Sequence, residues 1–333
     1  MHIICADWAK DLRGRAAAIA DVTGRRVSLV PGPVTLLGLL DVAARVDGSV
    51  IVGVDAPLGV PRSLLRALDI ADFRGLLRSA ASSSSFFSIS SHAAAWRPQR
   101  PFFAVPAGAG SLTAFREAAR SFGVDLLRDI DRQTGGKPFA VTSGIPGSVG
   151  SGAIALWREL IGVLDDDRVR LWPFDGVDLA VLAASHVVIA EMYPRAAYAT
   201  ALLDVPAAVR PQVSLGKTKA NLRSSAVDAL LRTSWMTAHG VTVDGDALHA
   251  ARASEDTFDA VFATCALLRA HLEGDPPSPP LLHASTEGAI LGTGSVDLAR
   301  RQAWSAEHIG QLRTAQRAGE PVRGGAGRLC ATG

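Results

Sequence analysis

Apolar positions along this chain gather into short runs that stop at an acid. Residues 2–7 read HIICAD, residues 49–55 SVIVGVD and residues 186–191 HVVIAE, ending at Asp7, Asp55 and Glu191. Runs of this length, rich in β-branched residues and closed by turn signals such as Ala56-Pro57, read as strands buried on both faces. Elsewhere the period lengthens. VTLLGLLDVAARV spaces its apolar residues as a helix does, and AAAIADV and VSLV flank TGRR as a hairpin with Gly24 as its turn residue. NLRSSAVDALLRTSWMTAHG reads as one helix ending at Gly240. The best-marked helix is SEDTFDAVFATCALLRAHLEG, with Ser254 as N-cap, a stripe of Phe258, Val261, Phe262, Cys265 and Leu268, and Gly274 past its end.

Residues 58–180 lack that rhythm. They hold the low-complexity SSSSFFSISS, the stretch WRPQRPFFAVPAGAG, a predicted helix TAFREAARSFGVDLLRDI, the glycine-rich SGIPGSVGSGA and a helix carrying Trp157. An open α/β core emerges only when the flanks are joined, which predicts one domain over 1–317. Its core is 1–57 and 181–300, with 58–180 as an insertion or cap, and 318–333 is expected to form a flexible tail.

Composition narrows the class. The chain has 333 residues, 48% of them hydrophobic, enough for a substantial core, and a net charge of +2 that carries no signature of a protein coating nucleic acid. No stretch reaches the roughly 18 apolar residues of a membrane helix, and the N-terminus runs straight into a strand, so a cytoplasmic protein without membrane contact is expected. Cys5, Cys265 and Cys330 are too few and too scattered for a disulfide framework or a zinc knuckle.

The terminal acids carry the candidate chemistry. Carboxyl ends of neighbouring parallel strands open on one edge of a sheet, where ligands bind. If the strands ending in Asp7, Asp55 and Glu191 are adjacent, their backbones lie about 4.8 Å apart. Two carboxylates near 5 Å repel by roughly 3 kcal/mol at an effective dielectric of about 20, so a cation must offset them. Asp256 and Asp259 share a helix face, and Asp259 borders the apolar stripe that packs on the sheet. Oxygen donors without cysteine or histidine suit Mg²⁺ or Mn²⁺, and two such ions perform phosphodiester or phosphoryl chemistry. Turn formation accounts for Asp55 equally well, and the helix macrodipole accounts for Asp256.

ADWAK, GVDAPLGVP, EMYPRAAY, SEDTFDA and STEGAIL together resemble a family of predicted RNase H-like nucleases of unknown function, over nearly the whole chain. Asp-x-x-Asp-Ala at Asp256, Asp259 and Ala260 is similar to the last-helix motif of Holliday-junction resolvases. The resemblance implies an RNase H-like mixed five-stranded sheet of order 3-2-1-4-5 flanked by helices, with the large insertion after strand 4. It also implies Asp7, Asp55 and Glu191 on strands one, four and five, and adds Glu287 as a further acid. Asp55 stands where resolvases tend to use Glu.

The insertion is the expected source of substrate preference. Residues 92–137 hold seven Arg or Lys against four acids, among them Arg97 and Arg100, and Trp96, Phe102 and Phe103 could stack on bases or fill a core. Lys217 is a candidate phosphate contact. PQVSLGKTKAN is no Walker A site, because Pro211 stands where its first glycine belongs. His92 and His186 could each be a general base, but a structural role accounts better for both. The leading expectation is a Mg²⁺- or Mn²⁺-dependent nuclease acting on DNA or RNA. Asp7, Asp55, Glu191 and Asp259 would hold the ions, and Asp256 or Glu287 would complete the shell. A nucleotide-binding phosphotransferase of the actin and sugar-kinase type, and a non-catalytic binding protein, are the alternatives.

Overall fold

A computed structural model describes residues 1–108, 110–204 and 217–294. In chain order the strands are β1 (His2–Asp7), β2 (Ala16–Asp21), β3 (Arg26–Leu29), β4 (Val50–Val54), β5 (Phe103–Ala104), β6 (Val141–Ser143), β7 (Val169–Leu171), β8 (Val187–Met192), β9 (Thr242–Val243) and β10 (Ile290–Leu291). Eight of them form a mostly parallel sheet of order β10-β8-β4-β1-β2-β3-β9, with β7 also on β8, while β5 and β6 pair separately. Only β1–β2 and β2–β3 run antiparallel. The expected five strands are therefore eight, and the order differs. β3-β2-β1-β4-β8 stand side by side, but β9 extends one edge, and β7 and β10 share the far edge of β8. These additions are two or three residues long, too short to show a period.

Every residue of β4 is buried, as its unbroken apolar run predicts for a strand covered on both faces. One face carries Ile4, Ala6, Val50, Val52, Val54 and Ile189, packed against the helix Leu36–Ala43 and the insertion. The other carries Ile3, Cys5, Ile51, Val188, Ala190 and Met192, packed against the helices Pro194–Ala201 and Glu255–Glu273. Apart from β7, which joins the sheet, the stretch 58–180 is thus one of the layers that cover it. Trp157 sits at its centre, edge-on to Phe73 and stacked on Phe139.

The helix Glu255–Glu273 has the predicted caps: the Thr257 N–H donates to the Ser254 hydroxyl, and Gly274 takes the left-handed conformation. Two helix boundaries differ from expectation. Residues 220–239 form Ala220–Leu230 and Ser234–His239, broken at Thr233, which has extended backbone. The insertion helix Ser111–Ser121 stops before Gly123, whose φ is +68°, and Asp129–Thr134 is a separate turn. In the hairpin, Arg25 and not Gly24 adopts the positive φ; a Cβ on Gly24 would meet an Asp21 side-chain oxygen at 2.5 Å and displace that side chain. Cys5 and Cys265 are free and buried. Residues 295–333, including the expected tail and Cys330, lie outside the described residues. No helix among the described residues is long and apolar enough to cross a membrane.

Candidate active site

β1 and β4 run parallel, with Ala6 opposite Val54 and the Asp55 N–H donating to the Ala6 carbonyl at 2.9 Å. Asp7 and Asp55 therefore leave adjacent strand ends on the same face. Their carboxyl groups come within hydrogen-bonding reach of each other, and Asp7 reaches Asp256 in the same way. That face is the one covered by the helix Glu255–Glu273, whose second turn brings in Asp259, 1% exposed. The Tyr198 hydroxyl and the Lys217 ammonium both donate to Asp259, and Lys217 also lies 3.2 Å from Glu255.

Burial with a single ammonium for several acids among the described residues sets the protonation. Desolvation raises Asp7 to about 9, with further push from Asp55 and Asp259. Asp55 rises to about 7 for the same reasons, Lys217 opposing. Burial also raises Asp259, against the pull of Lys217 and Tyr198, and raises Asp256. Burial would lower Lys217, but Asp259, Glu255 and Asp7 outweigh it and keep the ammonium charged. Near neutral pH the cluster holds protons that ordinary carboxyl groups would have released.

Glu191 does not join this cluster. Val50 pairs with Val187 and Val54 with Glu191, so Glu191 arrives one register step before Asp55. Successive side chains of a strand point to opposite faces, and one step moves Glu191 to the insertion side. There it is 5% exposed, and Arg128 donates to both of its oxygens, at 2.6 and 2.8 Å. The same guanidinium donates to Asp131 at 2.8 and 3.0 Å and to the Leu58 carbonyl at 3.1 Å. All five of its N–H groups are used. Burial alone would lower Arg128, but Asp131 and Glu191 overcome it and hold the guanidinium well above its usual range. Burial likewise raises Glu191, with Arg128 opposing.

Glu287 is a fastener too. Its oxygens accept from the N–H groups of Arg62 and Asp129, at 2.9 and 2.8 Å, the first residues of two insertion helices. A carboxylate is favoured at such termini. Its loop lies so close to GVDAPLGVP that a Cβ on Gly59 would meet the Glu287 carbonyl at 2.1 Å, and one on Gly288 the Leu58 carbonyl at 2.2 Å. That crossing explains why glycine stands at both positions.

The other expected contacts are also reassigned. Arg97 donates to the carbonyls of Ala94 and Trp96, and Arg100 to that of Ala95, so both brace their own loop. Trp96, Phe102 and Phe103 are core residues, each at most 1% exposed. His186 meets the Leu182 carbonyl at 3.1 Å, and His92 is exposed ahead of a short 3-10 turn. Of the lysine-rich stretch, residues 211–216 lie outside the described residues, whereas Lys217 belongs to the cluster.

Sequence reasoning missed Tyr198 and the role of Arg128. Tyr198 sits seven residues beyond Glu191 on a helix with Pro194 at its first position, a spacing that could have drawn attention to it. Arg128 gives no comparable signal. Among the described residues no three or more His, Cys, Asp or Glu side chains form a ready-made metal cage. Comparison with family models, with curated proteins and with solved structures gives no match.

Proposed function

We propose that the chain is an RNase H-like hydrolase of phosphodiester bonds whose centre is the cluster of Asp7, Asp55, Asp256 and Asp259, assisted by a divalent cation and acting on nucleic acid. The observation that carries this reading is the convergence of Asp7, Asp55, Asp256 and Asp259 at one sheet edge around the Lys217 ammonium, an arrangement that favours the protonated forms of Asp7 and Asp55. A cluster that must stay protonated to be stable is short of positive charge, and an added cation would displace those protons. The donors fit: all are carboxylate oxygens, the ligands that Mg²⁺ and Mn²⁺ prefer. Glu191 and Glu287 take no part as ligands, so this reading relies on fewer acids than the sequence suggested.

When bound, such a cation supplies charge neutralisation and an activated water. The chain's own residues do the rest. Asp7 and Asp55 hold or accept a proton at the sheet edge, Tyr198 and Lys217 fix the orientation of Asp259, and the Lys217 ammonium offers a donor to a phosphate oxygen.

Incubation with Mn²⁺ and labelled single-stranded, duplex and branched DNA and RNA tests this. Cleavage that Asp7→Asn abolishes is expected, with calorimetric Mn²⁺ binding to the wild type. Cleavage that survives the substitution, or an absence of both cleavage and Mn²⁺ binding, would overturn it. The place of Lys217 favours a second reading, in which the near-neutral Asp7–Asp55 pair works as acid and base without a cation. Activity that withstands EDTA but not Asp55→Asn would select that one.

A further inference from the structure

A groove of about 860 Å³ opens on the insertion, away from the acid cluster. Its walls are the helix Ser111–Ser121, the segment 123–127 and the loops at 136–138 and 145–146. The glycine-rich stretch SGIPGSVGSGA thereby acquires a place, since Ile145 and Pro146 form one lip. Three cations face the space: Arg116, Arg120 and Lys137.

Their charge has no ion-pair partner among the described residues. Arg116 and Arg120 are one helical turn apart, about 6 Å between Cβ atoms, on the same side of the helix. Neither they nor Lys137 makes an ion pair or side-chain hydrogen bond among the described residues, and all three are exposed. The neighbouring acids are spent elsewhere: Asp125, the sole acid of the lining, and Asp129 pair with Arg132, and Asp131 pairs with Arg128. Glu117 is three residues before Arg120 on the same helix, a same-side neighbour, but no ion pair joins the two among the described residues. Among the described residues the remaining lining is aliphatic or backbone, with no aromatic ring for base stacking.

From this geometry we infer that the groove binds the phosphate backbone of a nucleic-acid strand through Arg116, Arg120 and Lys137, without reading its bases. Cations set over an aliphatic floor contact phosphates and carry no sequence information. The inference rests on the hydrolase reading above for its substrate class, and names where on the chain that substrate is gripped. The wall segment ends one residue from Arg128, which is bonded to Glu191 at the sheet edge, so the groove belongs to the layer clamped to that edge.

The test is fluorescence anisotropy of a labelled twelve-nucleotide oligothymidylate on the full chain, in EDTA so that no turnover intervenes. Arg116→Ser/Arg120→Ser/Lys137→Ser is expected to weaken binding at least tenfold and to flatten the slope of log K against log salt by about 2, the figure for three contacts on a single strand. Circular dichroism should not change, because the three side chains make no hydrogen bond or ion pair among the described residues. Arg97→Ser/Arg100→Ser should bind as the wild type does. The inference fails if the wild type does not bind, if the triple variant binds equally well, or if AMP binds as tightly as the strand. Binding without cleavage in Mn²⁺ would sink the hydrolase alone, whereas cleavage with the triple variant binding normally would sink the groove alone.

Discussion

On the insertion side of the sheet edge, Glu191 and Asp131 take four of the five N–H groups of one guanidinium, the fifth going to the Leu58 carbonyl, and Glu287 accepts two backbone N–H groups. On the opposite side, Asp7, Asp55, Asp256 and Asp259 gather around one ammonium among the described residues, that of Lys217. Both sets are carboxyl groups at or beside the same strand ends. The first set is hydrogen-bonded to saturation and fastens the insertion to the sheet. The second is short of cations, so it keeps protons and stays open to chemistry. Buried charge is tolerated where it is paired, and a site that must bind something else cannot be paired in advance. The comparison predicts opposite responses to mutation on the two sides.

The largest effect is expected at Arg128. Arg128→Met fills similar space but leaves Glu191 and Asp131 buried without their partner, and unpairing a buried charge costs about 3–5 kcal/mol. Urea denaturation at pH 7 should show that loss, and much less of it at pH 4, where the stranded acids can protonate. A change below about 1 kcal/mol at pH 7 would mean that the clamp contributes little.

The division of the acids also marks how far the sequence could be read. The runs HIICAD, VIVGVD and HVVIAE locate β1, β4 and β8, and Ser254 and Gly274 locate both ends of the helix that carries Asp259. Register was not legible. VIVGVD and HVVIAE look equivalent as text, yet Val50 pairs with Val187, which puts Met192 opposite Asp55 and sends Glu191 to the other face. Pairing of strands more than a hundred residues apart is set by the packing of both faces, which no local pattern records. Arg128 was illegible for a similar reason: it lies in an aperiodic stretch where a buried arginine and a solvated one read alike. Asp7 and Asp55, whose strands keep step, were placed together correctly.

A smaller effect of opposite sign is expected at Asp7. Its folded value of about 9 lies above the unfolded one near 3.9, so folding takes up a proton. The stability that this contributes is complete below pH ~4 and is lost as pH rises through about 9, with Asp55 acting likewise up to about 7. Asp7→Asn mimics the protonated form, and should stabilise the metal-free protein by on the order of 2 kcal/mol at pH 8 and by nothing measurable at pH 4. Thermal melts across this range provide the check. Mn²⁺ should raise the melting temperature of the wild type at pH 8, and far less that of the variant. An Asp7→Asn chain less stable than the wild type at pH 8 would show that the cluster is already compensated, and the contrast between the two sides would disappear.

The smallest effect tests whether orientation matters within the open cluster. Tyr198 donates to Asp259 from the helix after β8, and burial together with the Asp259 charge raises its phenol well above the usual range, so it remains a donor throughout the accessible pH range. Tyr198→Phe keeps the ring, which packs edge-on to Phe262, and removes one hydrogen bond to a carboxylate. The expected cost is about 1 kcal/mol, since Lys217 still holds the other oxygen of Asp259. Stability would then change little, while Mn²⁺ affinity, which depends on where that carboxylate points, should weaken several-fold in calorimetry. Mn²⁺ affinity unchanged beside that loss of stability would show the hydroxyl serving the fold alone; the weaker cation binding would identify Tyr198 as a positioning residue of the site.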